Sequence, residues 1–241
     1  MKRIHFGVVK VHKWAVNLCI CLIVGVIAVF AVIAGINAIP ASSAISGVYY
    51  NGNKESNNVT LMVNVYWGTE FLDEMLAIFD EYNVKTTFFV GGTWAVLNEE
   101  YLTKIYNAGH ELANHGYHHK DHGKLDEAGN LEEIQTTHTI IKELLGVEMN
   151  LFAPPSGAYN KVTVSCAQTL GYKTIMWTRD TIDWRDQDSE VIYNRAIKNA
   201  SGGDLILMHP TKSTLEALPK ICQYFIDNGF NVTTVSQNIG L

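Results

Sequence analysis

Charge is what the first fifth of this chain lacks. Lys2, Arg3, Lys10 and Lys13 are the only charged residues before Lys54, and all four precede an apolar run. Basic residues are scarce in the remainder as well. Setting those four aside leaves 14 basic against 24 acidic residues, a balance of −10. An acidic body of that kind excludes nucleic acid as a partner, because binding it requires a basic face. Cysteine is sparse too: Cys19 and Cys21 lie in the apolar run, and Cys166 and Cys222 fall in separate helical patterns. The expectation is two separate buried thiols and no disulfide framework. Neither an internal repeat nor a low-complexity tract is visible.

The uncharged stretch from Leu18 to Ile36 contains nineteen residues, with no side-chain hydrogen-bonding group apart from the two cysteines. At 1.5 Å rise per residue this length crosses a hydrocarbon core of about 30 Å. The sequence therefore predicts a basic cytoplasmic tail over 1–13 and a single transmembrane anchor over 14–38. A linker over 39–58 and an extracytoplasmic domain over 59–241 follow. The small residues of "NAIPASSAISG" offer an alternative, a signal-peptidase site. The apolar run exceeds the 7–15 residues usual for a cleaved signal, which favours an uncleaved anchor.

Beyond residue 58 strand and helix patterns alternate. "VTLMVNVYW", "VKTTFFVGG", "HELANHG", "NLFAPPSG", "YKTIMWTRD", "GDLILMHP" and "FNVTTVSQ" read as strands, with amphipathic helices between most of them. Gly109, Gly146, Gly171 and Gly229 stand where helix C-caps belong. Repeated β-α units mean a parallel sheet with helical crossovers, here a deformed (β/α) barrel of about seven parallel strands. Sites in such sheets gather at the C-terminal strand ends, so the residues just past each strand are the ones that matter.

Three of those ends carry chemistry. "NHGYHHKDH" holds His115, His118, His119 and His122; both His115/His119 and His118/His122 are four apart, the spacing that puts two imidazoles on one face of a helical turn. Spacing alone does not rank the two pairs. "DTIDW" sets Asp180 and Asp183 beside Trp184, a carboxylate able to orient a catalytic histidine next to an aromatic wall. "LILMHP" supplies such a histidine in His209, at the end of an apolar run where an imidazole needs a partner. The first strand, "LMVNVYWGTE", ends instead on an amide, Asn64.

Together these stretches resemble the polysaccharide deacetylases with the NodB homology domain, carbohydrate esterase family 4, over roughly Val59 to Gln237. The Val65-Tyr66-Trp67-Gly68 turn is similar to that of the sporulation-associated branch. "HGYHH" resembles the metal motif, "APPSGAY" the Arg-containing turn, "DTIDW" the D-x-x-D-W motif and "LILMH" the L-x-L-H motif. The resemblance implies hydrolysis of an N-acetyl group on a peptidoglycan- or chitin-like glycan, assisted by a divalent metal, usually zinc. It implies His115 and His119 as metal ligands, His209 as the acid that protonates the leaving amine, and Asp183 as the carboxylate that tunes it. Trp184 and Leu207 would line the acetyl pocket, and the backbone N–H of Tyr159 would face the oxyanion.

Three positions depart from that pattern. Asn64 stands where the family has its aspartate base, Val65 where many members have a metal-binding aspartate, and Ala153 where an arginine holds the base. The leading expectation is a membrane-anchored deacetylase with an altered base, with Asp180, Glu70 or metal-bound hydroxide standing in for it. The alternative is a glycan-binding protein of the same fold with little or no activity.

Overall fold

The computed structural model describes residues 45–241, which form one compact unit. The expected basic tail and membrane anchor lie outside the described residues. Among the described residues no helix is long and apolar enough to cross a membrane.

Nine strands make a single parallel sheet. They are β1 (Val48–Tyr49), β2 (Asn58–Val65), β3 (Thr87–Val90), β4 (Glu111–Asn114), β5 (Leu151–Phe152), β6 (Lys173–Ile175), β7 (Arg179–Asp180), β8 (Leu205–Met208) and β9 (Asn231–Val232). Their order is β1-β6-β5-β4-β3-β2-β8-β7, with β9 joined to the start of β2. Eight helices accompany them among the described residues: α1 (Leu72–Glu81), α2 (Gly92–Leu97), α3 (Glu99–Asn107), α4 (Glu127–Leu145), α5 (Lys161–Thr169), α6 (Ser189–Ile197), α7 (Lys212–Asp227) and α8 (Val235–Ile239). The sheet is an open curl, with β1 and β7 as its two edges, rather than a closed ring.

Pleating sorts the strand residues into two cores, because alternate side chains point to opposite faces. Val63, Val65, Phe88, Val90, Ile206 and Met208 join the larger core between sheet and helices. Met62, Phe89, Ala113, Leu151, Ala153 and Leu205 fill the inside of the curl. Asn64 follows Met62 by two and so crowns that inner core, in register with Phe89 of β3. Val65 points the other way, wholly buried in the outer core. The odd and even positions of β2 therefore have different duties. Cys166 and Cys222 are separate, buried thiols.

Three sequence expectations are corrected. The expected strand "YKTIMWTRD" is two strands, β6 and β7, divided at Met176–Thr178. β6 pairs with β5 and β1, whereas β7 pairs with β8, so the chain changes sheet neighbours there. The final expected strand stops at Val232, and Thr234 caps α8 in a reciprocal capping box with Gln237. The linker expected to run to residue 58 ends earlier. Val48 and Tyr49 pair with β6, and the following segment is bound to the domain through Gly52 N–H to Gly203 O (2.7 Å) and Asn53 N–H to Asn238 O (2.9 Å).

That arm is accommodated by a glycine. A Cβ on Gly202 would stand 1.7 Å from the Ser56 carbonyl oxygen. Overpacking of this kind costs about 1–3 kcal/mol. Gly202→Ala is expected to lower the urea unfolding midpoint by that free-energy loss divided by the slope, with the slope itself unchanged. An unaltered midpoint would show that residues 50–58 do not pack on the domain.

Candidate functional site

Asn64, Trp67, His115, His119, Ser156, Trp177, Asp180, Trp184, Leu207 and His209 enclose a cavity of about 350 Å³ at the C-terminal ends of the strands. Nine of these ten residues come from the motifs singled out by sequence. The motifs lie at the ends of different strands, so the sheet brings them together.

On one side stands His209, at the end of β8. Its Nδ1 and its backbone N–H both meet the carboxylate of Asp183, at 2.7 and 2.6 Å, and Thr214 Oγ1 donates to the same carboxylate at 2.6 Å. Since Nδ1–H is engaged, the Nε2 side of the ring is left for the cavity, the orientation a proton donor requires. Trp67 stacks against His209 with centroids 5.4 Å apart and planes 23° apart. Trp184 and Leu207 line the cavity as expected.

Opposite stands His115, just past β4. Its Nδ1 lies 2.8 Å from the carbonyl oxygen of Ala153. A carbonyl only accepts, so Nδ1 carries the proton and the Nε2 lone pair faces inward. Burial, with a smaller contribution from His119, pushes this imidazole down to about 3. It is therefore neutral at any ordinary pH. Asn64 Nδ2 stands 3.4 Å from that Nε2, while Asn64 Oδ1 is buried without a hydrogen-bond partner among the described residues. An unpaired buried acceptor costs about 1–3 kcal/mol, which marks it as a position built to meet something else.

His119 shares this side, its ring centroid 5.1 Å from that of His115. The two are not on a helical turn. They sit on a loop that reverses through Gly116 (φ 72°) and His119 itself (φ 55°). Tyr66 stacks face to face on His119 at 3.8 Å and 15°, and burial lowers the His119 imidazole from its usual range. Thus the adjacent pair Tyr66-Trp67 covers one histidine from each side of the cavity. The turn that carries them is pinned by Trp94 Nε1–H, which donates to the Gly68 carbonyl at 2.8 Å.

The other two histidines do not line the cavity. His118 is exposed, with Nδ1 3.3 Å from Thr93 Oγ1. His122 is buried behind the loop, with Nδ1 2.8 Å from Asn130 Oδ1 and its ring against Phe152. Between them Glu133, from α4, holds the loop. Its carboxylate accepts the N–H groups of Tyr117 (2.9 Å) and His118 (2.7 Å) and pairs with Lys120 (2.9 Å). Burial alone would raise this carboxyl, but those donors outweigh it and hold the group low.

Two further expected residues are outside the cavity lining. Tyr159 is not in the cavity lining, and its hydroxyl pairs with that of Tyr50 from the N-terminal arm; Ser156 of the same turn takes the lining position. Glu70 is exposed and accepts the N–H of Thr69. Asp180 does face the cavity, and burial raises its carboxyl above the usual range. Sequence reasoning missed Trp177, Ser156 and Thr214. Trp177 was hidden inside what reads as one strand, and Thr214 is indistinguishable in sequence from any first-turn helix residue.

For a metal, the available donors are the His115 and His119 imidazoles and the Asn64 amide oxygen. Among the described residues no three His, Cys, Asp or Glu side chains converge on one point.

Comparison with known proteins places this geometry. The model of the polysaccharide deacetylase family matches residues 51–175. The uncharacterized protein YlxY of Bacillus subtilis is 38% identical over 188 residues, 78% of this chain and 59% of that protein. A peptidoglycan-N-acetylglucosamine deacetylase of Bacillus cereus is 29% identical over 171 residues, 69% of this chain and 62% of that protein. In both cases the chain spans less than two thirds of the relative's length. Among solved structures, wild-type BA3943, a CE4 family pseudoenzyme from Bacillus anthracis, aligns with a TM-score of 0.78 at 33% identity, covering 80% of this chain and 68% of that one. A BA3943 mutant with restored enzymatic activity aligns equally well at 32% identity, covering 80% of this chain and 71% of that one. A parallel half-barrel with these motifs in this order belongs to the polysaccharide deacetylase family, the NodB-type carbohydrate esterases of family 4.

Proposed function

We propose that this protein binds an N-acetylated glycan of the cell wall, with an acetamido group in the cavity between His209 and His115, and that its hydrolysis is slow because the base is replaced. One observation carries this reading. The proton-donating side, Asp183 with His209, is complete, whereas the opposite side presents the amide of Asn64 and the imidazoles of His115 and His119. Of these two imidazoles His115 is already committed at Nδ1. The basic N-terminal tail and the apolar run after it lead us to propose a single-pass anchor with the domain outside the membrane.

A second reading is favoured by Asp180. Its carboxylate lines the same cavity and is shifted toward the range useful for a base, so it is the candidate for a replacement. Acetate release from N-acetylated chitooligosaccharides and peptidoglycan fragments separates the two. The Asn64→Asp/Ala153→Arg pair is expected to exceed the wild type by about 10²–10⁴-fold, the usual contribution of a general base. Wild-type turnover equal to that of the pair would sink the slow-hydrolysis reading. Wild-type turnover abolished by Asp180→Asn would select the second.

The donor set fits a divalent metal held by His115, His119 and Asn64 Oδ1. Such an ion, when bound, supplies polarisation of the acetamide and of water. All three donors are neutral, and no carboxylate offsets the cation's charge, so retention is weak by comparison with ordinary three-ligand zinc sites. The wild type is expected to emerge from dialysis with substoichiometric zinc by elemental analysis. Asn64→Asp is expected to tighten zinc binding by about tenfold or more. Stoichiometric zinc surviving dialysis in the wild type would overturn this assignment.

A further inference from the structure

Behind the loop of His115 and His119 lies a run of polar side chains that lines no part of the cavity and reaches the surface. Asn114, at the end of β4, is wholly buried. Its Nδ2 lies 2.8 Å from the carbonyl oxygen of Ile134 on α4, and its Oδ1 lies 2.9 Å from the N–H of Gly116. A carbonyl only accepts and an N–H only donates, so this amide can point only one way. The second Nδ2 proton goes to the Tyr172 hydroxyl, at 3.3 Å. That hydroxyl is also 2.6 Å from His138 Nδ1, and His138 Nε2 is 2.9 Å from Glu148 Oε2. Lys142 pairs with Glu148 and holds its carboxyl below the usual range, so this end only accepts.

These partners fix the direction of every bond. His138 Nε2–H donates to Glu148, which leaves Nδ1 bare, and the Tyr172 hydroxyl donates into it while accepting from Asn114. We propose that this one-way chain makes Tyr172 and His138 positioning residues for the loop of His115 and His119, in place only while His138 is neutral. The loop reverses at Gly116 (φ 72°), so the bond to the Gly116 N–H sets the direction in which both imidazoles leave the strand. Protonation breaks the chain at one link. A charged imidazole donates at both nitrogens, so the Tyr172 proton loses its acceptor. Tyr172 is buried and its other partner, Asn114, is a donor, so the whole chain must rearrange. Tyr172 from the turn before β6, Glu148 from the loop after α4 and Lys142 from α4 are the ionisable groups that meet His138 or its partner. Among the described residues, none on β4 or α5 bonds to it. The effect on ligand affinity rests on the glycan reading above.

The test is made on the whole chain in detergent, by magnetic resonance and calorimetry. Histidine labelled at its carbonyl carbon, with glycine labelled at nitrogen, isolates the amide signals of Gly116 and Gly123, the two glycines that follow a histidine. Gly123→Ala tells them apart. In the wild type the Gly116 signal is expected to move with an inflection that coincides with the titration of the His138 ring. His138→Gln, whose amide accepts from Tyr172 and donates to Glu148 at every pH, is expected to hold the signal at its high-pH position. Tyr172→Phe is expected to displace it throughout and to remove the inflection. On acidification the wild type is expected to fall about fivefold behind His138→Gln in affinity for an N-acetylglucosamine tetramer, the lower end of couplings between separate sites. An inflection that persists in His138→Gln, or none while His138 titrates, would overturn the chain. Equal affinities of the two proteins at every pH would overturn its hold on the cleft. Failure of both to bind any oligomer would overturn the glycan reading, and the Gly116 signal would still decide the chain.

Discussion

The Asp183 carboxylate is the constraint on which the cleft depends. It is almost wholly buried, and it satisfies itself with the backbone N–H and Nδ1 of His209 and the hydroxyl of Thr214. A buried carboxylate stripped of such partners costs several kcal/mol, so the three donors and the loop that delivers Asp183 are held together. Through those bonds the end of β8, the first turn of α7 and the loop after β7 become one rigid corner. Trp184 follows Asp183 directly, so the same corner also sets the aromatic wall of the cavity.

The opposite corner orients its histidine without a charged partner. His115 is oriented by the carbonyl of Ala153, and its loop is tied down from behind by Glu133. Ala153 is itself part of the inner core. An arginine there with no carboxylate at position 64 would be a buried unpaired cation, which several kcal/mol of lost solvation would disfavour. Asn64 and Ala153 are thus physically consistent with one another.

How much of this was legible in the sequence follows from the range of each signal. The alternation of strands and helices is local and periodic, and the β-α pattern read from it is the one observed. The motifs at the strand ends bring Asn64, His115, His119, Asp183, Trp184, Leu207 and His209 together in the structure. Where strand neighbours change, as between β6 and β7, neither glycine nor proline marks the break at Met176–Thr178. The His115–His119 spacing predicts a helical turn, but the loop instead uses positive φ at Gly116 and His119, a choice stabilised by contacts with α4 distant in sequence. The linker was misjudged for the same reason. Its Ser, Gly and Asn residues look unstructured until Gly202 and Gly203, about 150 residues later, leave room for the chain to lie down.

Retention of Asp183 and His209 has two physical explanations, and the structure supplies both. The pair can protonate a leaving group, and it also clamps β8 to α7 and the loop after β7. A chain that had given up rapid hydrolysis would still need the clamp, since removing either partner leaves a buried polar group unsatisfied. The survival of these residues therefore carries less weight as a sign of turnover than their chemistry alone would imply. Asn64 is the more telling residue, because it belongs to no clamp: it lines the cleft, and its oxygen is buried and unpartnered among the described residues. Stability would be served by an apolar side chain there. An amide is instead what a site keeps when an acetamido group, a water or a metal ion is to meet an acceptor at that point.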